Sequence, residues 1–402
     1  MRRTYLCGYY GMQNSGDDAL LYATLHGVKS HFQTSEFQVN TPTRLLLPAL
    51  GDFKPSITSA QRYRGENRVR QLLTAMRSSQ VIFGGGSVLH CQRDMDVKYL
   101  MMRLAGKGPH MALGVGVESF SSKAAEKSCR RFLNHCDYVG VRDKHSYDVA
   151  TAIAPNANIE LTFDLAPSLL PLLRNYFSNI EDSMIKDSLC EYHDDFDVNL
   201  EASGTVPGKE TDTRRGIGVL LCPKESIAAS SNTNDLAAEQ QRLAEIARAI
   251  KEIHDETGQP VYIFDMNGHR DLGDQKVHDQ IQRLLPASVP VFRYSYQSNP
   301  LRLMSQLSRL KVCLAMRLHG SVFSYLAGTP VISLNYHDKC DGWCDQIGMP
   351  LNYRFDTSSL DAPGLIDVAV NGIKQGFSAC TLSVEAAYEK SLRNFISPLS
   401  LA

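Results

Sequence analysis

Short β-branched apolar runs alternate with longer amphipathic stretches along most of this chain, and that alternation limits the folds open to it. In the first half the runs are Thr4–Tyr10, Gln38–Thr41, Val81–Phe83, His110–Val117, Asp137–Val141 and Ile159–Phe163. Helical patterns lie between several of them, such as Leu21, Leu25 and Val28 on one face behind Asp17 and Asp18. The pattern breaks at Glu181–Glu201, which holds eight acids and one lysine and reads as a solvated linker or insertion. It resumes with Gly216–Cys222, Val261–Met266, Val289–Arg293, Lys311–Met316 and Val331–Leu334. Strand-helix-strand alternation implies parallel sheets covered by helices.

The expected fold class is therefore α/β, with two doubly wound, Rossmann-like domains facing a cleft. The boundaries read as 1–175 for the first domain, 176–213 for the acidic linker, 214–375 for the second domain, and 376–402 for a C-terminal helix and tail. That last helix is free to pack on either half. A length of 402 residues suits two such domains.

Charge and cysteine usage narrow the partners. The 42 Lys and Arg nearly cancel the 43 Asp and Glu, which argues against a nucleic-acid partner. No apolar run approaches the roughly 20 residues of a membrane span, and the start of the chain lacks a signal-like stretch. The ten cysteines are scattered, as suits a reducing compartment, so a cytoplasmic location is expected. Cys7 and Cys313 fall inside apolar runs and read as inert core.

Ligands of open α/β sheets bind beyond the carboxyl ends of strands. Four segments have that address. In Gly8–Leu21 a strand enters a glycine-bearing loop, Asn14-Ser15-Gly16, and then a helix opened by Asp17 and Asp18. A capped helix explains one acid there, and two at a strand end suggest function as well. Phe83-Gly84-Gly85-Gly86-Ser87 suits close approach to a ligand or to a helix, with His90 just beyond. Its spacing is not that of a dinucleotide fingerprint. Arg142 leaves a strand end in Val141-Arg142-Asp143, as an anion contact or a plain surface residue.

The fourth segment is Ala315-Met316-Arg317-Leu318-His319-Gly320-Ser321. With an extended backbone and a helix starting near Gly320, Arg317 and His319 share one side beside helix N–H groups. A guanidinium, an imidazole and a helix N-terminus form an anion site with a proton donor. A buried structural Arg–His pair is the plainer reading. His337-Asp338-Lys339-Cys340-Asp341-Gly342-Trp343-Cys344 matches no common zinc spacing, so no metal is expected.

These segments, in this order, resemble the polysaccharide pyruvyl transferase family. The matching pieces are Gly-Tyr-Tyr-Gly with Asn-Ser-Gly-Asp-Asp-Ala-Leu, Gly-Gly-Gly-Ser, Gly-Val-Gly-Val, Val-Arg-Asp-Lys-His-Ser, Thr-Phe-Asp-Leu-Ala, Met-Arg-Leu-His-Gly and Gly-Thr-Pro-Val-Ile-Ser-Leu-Asn-Tyr-His-Asp-Lys. They span about residues 5–170 and 216–350. The resemblance implies a fold similar to the GT-B glycosyltransferases. It implies transfer of the pyruvyl unit of phosphoenolpyruvate to a sugar as a cyclic ketal, with release of phosphate and no further cofactor. Arg142, Arg317 and His319 then fall on positions tied to donor binding and catalysis, with Gly320 and Ser321 at the phosphate, Gly85 and Gly86 near substrate, and His90 as a looser match. Asn14 and Asp17 fall in the loop expected to face the acceptor. A lipid-linked oligosaccharide acceptor and peripheral membrane association are compatible with this reading. The rival readings are a GT-B glycosyltransferase using a nucleotide sugar, and a silent sugar-binding or scaffold protein.

Overall fold

The structure, a computed structural model, describes residues 3–32, 34, 36–42, 53–89, 91–118, 120, 122–186, 214–223 and 236–401. Those residues form two compact units, residues 1–170 with 385–402, and residues 171–384. Most of the acidic segment, residues 187–213, lies outside the described residues, as does His90.

The first unit is built on seven parallel strands: β1 (Arg3–Cys7), β2 (Glu36–Val39), β3 (Lys54–Pro55), β4 (Gln80–Leu89), β5 (Met111–Val117), β6 (Tyr138–Val141) and β7 (Ile159–Leu161). They lie in the order β3-β2-β1-β4-β5-β6-β7. Helices α1 (Ser15–His31), α2 (Glu66–Met76), α3 (Gln92–Leu104), α4 (Lys123–Leu133) and α5 (Lys144–Ile153) make the crossovers. Central strands are covered on both faces, so every residue of β5 is buried and the strand reads as one apolar run. Helix α6 (Leu170–Lys186), which from Pro171 onward belongs to the second unit, continues into the start of the acidic stretch.

The second unit has six parallel strands: β8 (Ile217–Leu220), β9 (Val261–Phe264), β10 (Val291–Tyr294), β11 (Val312–Ala315), β12 (Val331–Asn335) and β13 (Arg354–Asp356). Their order is β10-β9-β8-β11-β12-β13. Its helices are α7 (Leu236–Thr257), α8 (Gln275–Leu284), α9 (Pro300–Leu307), α10 (Leu318–Leu326), α11 (Asp338–Ile347) and α12 (Ala362–Gln375). Ile246, Ile250 and Ile253 of α7 are fully buried against Ile217, Val219 and Val261. The two strands without a sequence signal, β3 and β13, are edge strands of two and three residues. Edges tolerate proline and charge, so neither shows an apolar pattern.

The last helix, α13 (Val384–Ile396), joins the first unit. Asn394 explains the choice. Its fully buried amide accepts from Gly114 N at 2.7 Å and from Thr162 Oγ1 at 2.8 Å, and donates to Phe163 O at 3.0 Å. Phe395 fills the space left at Gly27 of α1, where a Cβ would meet its ring at 2.3 Å. Asn394→Ala leaves buried groups without partners and should destabilise the first unit by about 2–4 kcal/mol, read by denaturant unfolding.

The amino-terminal edge of this sheet carries a titratable tie. His110 is buried, and its Nδ1 accepts from Val81 N at 3.2 Å. Burial holds its pKa below the ordinary imidazole value, with the Asp137 charge opposing. The unfolded chain therefore binds the proton more readily, and stability falls as pH drops through the unfolded pKa of about 6.5. Unfolding free energy should decline from pH 7.5 to 5.5, and His110→Gln, which accepts without titrating, should flatten that slope.

Candidate functional site

In a doubly wound sheet the ligand crevice opens where strand order reverses, beyond the carboxyl ends. That point lies between β1 and β4 in the first unit, and between β8 and β11 in the second. Both are occupied by segments singled out from sequence.

In the first unit β1 ends at Cys7, and the chain turns through Gly8–Asn14 into α1. A Cβ at Gly8 would strike the Tyr10 ring at 2.3 Å, so glycine lets Tyr10 fold under the loop. The buried Tyr10 hydroxyl donates to Gly84 O at 2.6 Å. Asn14 caps α1, its Oδ1 accepting from Gly16 N at 3.0 Å. Gln13 holds a left-handed φ of 60°, the one such non-glycine residue among those described. Asp18 is fully buried and accepts from Gly11 N at 3.1 Å, which ties the loop back onto the helix. The acid pair thus divides. Asp18 holds the loop, while Asp17 is partly exposed on the first turn.

The triple glycine has a packing explanation in part. A Cβ at Gly84 would lie 2.1 Å from Thr24 Oγ1, and one at Gly85 would lie 2.8 Å from Leu20 Cδ2, so α1 packs directly over β4. Gly85 and Gly86 have φ of 70° and 83°, a conformation that favours glycine.

Arg142 follows β6 and is buried. Its guanidinium has Asp143 and Asp164 carboxylates each at 3.6 Å, and Gly116 leaves room for it, a Cβ there falling 3.1 Å from Nε. It is a charge-compensated cation of the first unit, whereas Arg317 and His319 belong to the second.

In the second unit the sequence expectation needs correction at one point. The strand ends at Ala315, Arg317 is the N-cap, and the helix starts at Leu318 and not near Gly320. His319 therefore sits in the first helical turn, and the extended geometry that would align it with Arg317 is absent. The Ser321 N–H donates to Arg317 O at 3.1 Å, so it is not among the N–H groups beyond reach of intrahelical carbonyls. The Ser321 hydroxyl is buried with no hydrogen-bond partner among the described residues. Gly320 brings the helix close to β8, with a Cβ there 3.3 Å from that of Leu220. His319 is half-buried, its ring 5.8 Å from that of Phe323.

Arg317 is not a spare cation. Its Nε lies 2.9 Å from both oxygens of Asp274, and Nη2 also donates to Asp274. Burial alone would lower the Arg317 pKa; the Asp274 carboxylate, with smaller contributions, reverses this and the net shift is upward. Asp274 itself is fully buried and accepts from Met266 N at 3.0 Å and Asn267 N at 2.9 Å. Nη1 of Arg317 meets no acceptor among the described residues.

A second buried set supports the same strand ends. Leu221 N, just past β8, donates to His278 Nε2 at 3.0 Å, while His278 Nδ1 lies 2.6 Å from Asp265 Oδ1. Accepting at Nε2 fixes the proton on Nδ1, facing the carboxylate. Arg293 Nη2 donates to both Asp265 oxygens at 2.9 and 3.0 Å. Arg242 of α7 pairs with Glu239 at 2.6 Å and donates to Cys222 O at 3.4 Å. None of these was legible from sequence. Asp274 looks like an ordinary helix cap until its carboxylate is seen turned away from the helix.

Among the described residues no group of three or more His, Cys, Asp or Glu is placed to hold a metal ion. His337 caps α11, and burial pushes the Cys340 thiol up to about 12. Burial likewise pushes the Cys313 thiol to about 12. No described helix is long and apolar enough to cross a membrane.

Known proteins place the chain. No curated protein matches it. Its fold is similar to that of UDP-GlcNAc 2-epimerase from Neisseria meningitidis, a structure bound to UDP-GlcNAc. The TM-score is 0.60 at 12% identity, covering 100% of this chain and 97% of that one. UDP-GlcNAc 2-epimerase from Methanocaldococcus jannaschii gives 0.61 at 11% identity, covering 98% and 99%. At such identities the fold alone is shared, that of two Rossmann-like domains as in GT-B-like enzymes. The sequence model described as polysaccharide pyruvyl transferase matches residues 14–338, from the cap of α1 to the start of α11. That span includes the N-terminal loop acids, Arg142 and the Arg317–Ser321 turn, so the chain belongs to the polysaccharide pyruvyl transferase family and is a transferase.

Proposed function

We propose that this transferase moves the pyruvyl group of phosphoenolpyruvate onto a sugar of a polysaccharide or its precursor, forming a cyclic ketal and releasing phosphate. The observation that carries the reading is the family match across residues 14–338. The chemistry of the second unit's switch point agrees with it. Phosphoenolpyruvate presents a phosphate and a carboxylate, which suit a helix N-terminus and the remaining Arg317 edge.

The enol carbon becomes electrophilic once the methylene is protonated, and His319 is our assignment for that acid. A sugar hydroxyl oxygen then bonds to this carbon, its proton passing to a carboxylate, which we assign to Asp17. Phosphate departs with the electrons of its C–O bond. A second hydroxyl adds to the resulting cation and closes the ring, its proton returning to the imidazole of His319. Arg142 and Asn14 are positioning or binding residues in this scheme, and no cofactor enters it. The acceptor in this scheme is a sugar, and a lipid-linked oligosaccharide is compatible with it.

The rival donor is a nucleotide sugar, since the structural neighbours handle UDP-GlcNAc. Thermal unfolding separates the two donors. A rise in Tm with phosphoenolpyruvate and none with UDP-GlcNAc supports the proposal. The reverse pattern, or no pyruvylated product by mass across a panel of sugar acceptors, overturns it.

A further inference from the structure

Exposed large apolar side chains are not spread evenly over the described surface. Tyr63, Val69, Leu73, Met76, Leu100 and Leu104 are each between 36 and 58% exposed, and all lie on α2, its lead-in loop, or α3. Val69, Leu73 and Met76 recur at helical spacing, so they form one stripe along α2. That stripe is opposite the face on which Ala75 is buried. Leu100 and Leu104 repeat at i and i+4 on α3, which packs beside α2. Single exposed leucines are ordinary, but five exposed apolar side chains on two helices that pack together mark an interaction surface.

The charge around the stripe identifies the kind of partner. Residues 60–79 carry five arginines, Arg62, Arg64, Arg68, Arg70 and Arg77, all exposed, against a single acid in a chain of net charge −1. That acid, Glu66, is buried, where it accepts from Arg62 N at 2.6 Å and from Arg70 Nε at 2.8 Å. The surface therefore presents an apolar line with a cationic border and a tyrosine at its start. We propose that this face of α2, with the outer side of α3, docks on an anionic lipid bilayer. The apolar stripe enters the acyl boundary and the arginines meet the headgroups. A second copy of this chain is a poor fit, because a twofold contact sets arginine-rich faces against each other. A nucleic-acid backbone would satisfy the arginines but not the apolar stripe.

Two hydrogen bonds link the inward side of α2, behind this face, to the loop before α1. Gln71 of α2 donates to Asn40 Oδ1 at 3.0 Å, and Asn40 Nδ2 donates to Gly8 O at 3.1 Å. A docked α2 would hold that loop near the membrane surface. The docking surface itself does not rest on the pyruvyl-transfer reading; only its service to a lipid-linked acceptor does.

The test is co-sedimentation of the full chain with vesicles of phosphatidylcholine alone, and with one third phosphatidylglycerol. We expect binding only to the anionic vesicles, weakened by high salt. Leu73→Ser with Met76→Ser, and separately Arg64→Glu with Arg68→Glu, should each lower partitioning at least ~10-fold. All four positions are exposed, and unchanged thermal unfolding of each variant will verify its fold. The proposal is overturned by equal binding to both vesicles, by no binding, or by full binding of either variant. It is also overturned if the same substitutions abolish duplex-DNA binding or a concentration-dependent dimer while vesicles are ignored. None of these readouts uses catalysis, so failure here is distinct from failure of the proposed reaction.

Discussion

His319→Gln should leave phosphoenolpyruvate affinity within a few-fold of the wild type and lower turnover by about 10²–10⁴-fold. The drop is the usual cost of removing a general acid, and glutamine retains one donor for the anion. The position motivates the role. His319 lies in the first turn of α10, the end of the helix that favours an anion. In the proposed reaction the imidazole at this address stands beside the donor's phosphate as its acid. The wild-type rate should decline on the alkaline side as the acid loses its proton, and the variant's residual rate should lack that limb. If the variant instead loses donor affinity at a normal maximal rate, His319 is a clamp and the acid lies elsewhere. Single-turnover rates at saturating donor, beside equilibrium binding, distinguish the two outcomes.

The parts of the molecule legible in the sequence are those where one local period decides. Val81–Phe83 and Met111–Val117 are central parallel strands buried on both faces, so they read as apolar runs. The start of α10 misled for the same reason. Arg317-Leu318-His319 has the polar-apolar-polar alternation of a strand end, and only the hydrogen bond from Ser321 N to Arg317 O makes it helix. Glycines carry little information about why they are needed. Gly84 and Gly85 are required by the approach of Thr24 and Leu20, as much as a ligand would require them. What lay beyond reach were partners distant in sequence. Arg317 finds Asp274 across 43 positions, and Asn394 finds Gly114 across 280. No periodicity encodes either, because the sheet order brings them together.

The Arg317–Asp274 pair should give the largest stability effect in the second unit. Arg317→Ala leaves a fully buried carboxylate with two backbone donors but no counter-charge, a change that costs about 3–5 kcal/mol. That loss obscures any reading of donor affinity from the single variant. Removing both charges separates the two contributions. In Arg317→Met with Asp274→Asn, the amide oxygen still accepts from Met266 and Asn267 N–H groups, and its nitrogen faces a neutral side chain. The neutral pair carries no uncompensated charge, so the double variant should recover part of the stability lost by the single one, less the cost of an amide NH2 left without an acceptor. It should not recover the donor. With the Nη1 edge gone, phosphoenolpyruvate should bind at least ~10-fold more weakly, as expected for losing a charge-assisted contact. Denaturant unfolding and calorimetric titration of the three proteins check both halves. Wild-type donor affinity in the stable double variant would remove Arg317 from the site and leave it as a tie between α10 and the loop after β9. Failure of the double variant to regain stability would show instead that the buried amide NH2 costs as much as the unpaired carboxylate.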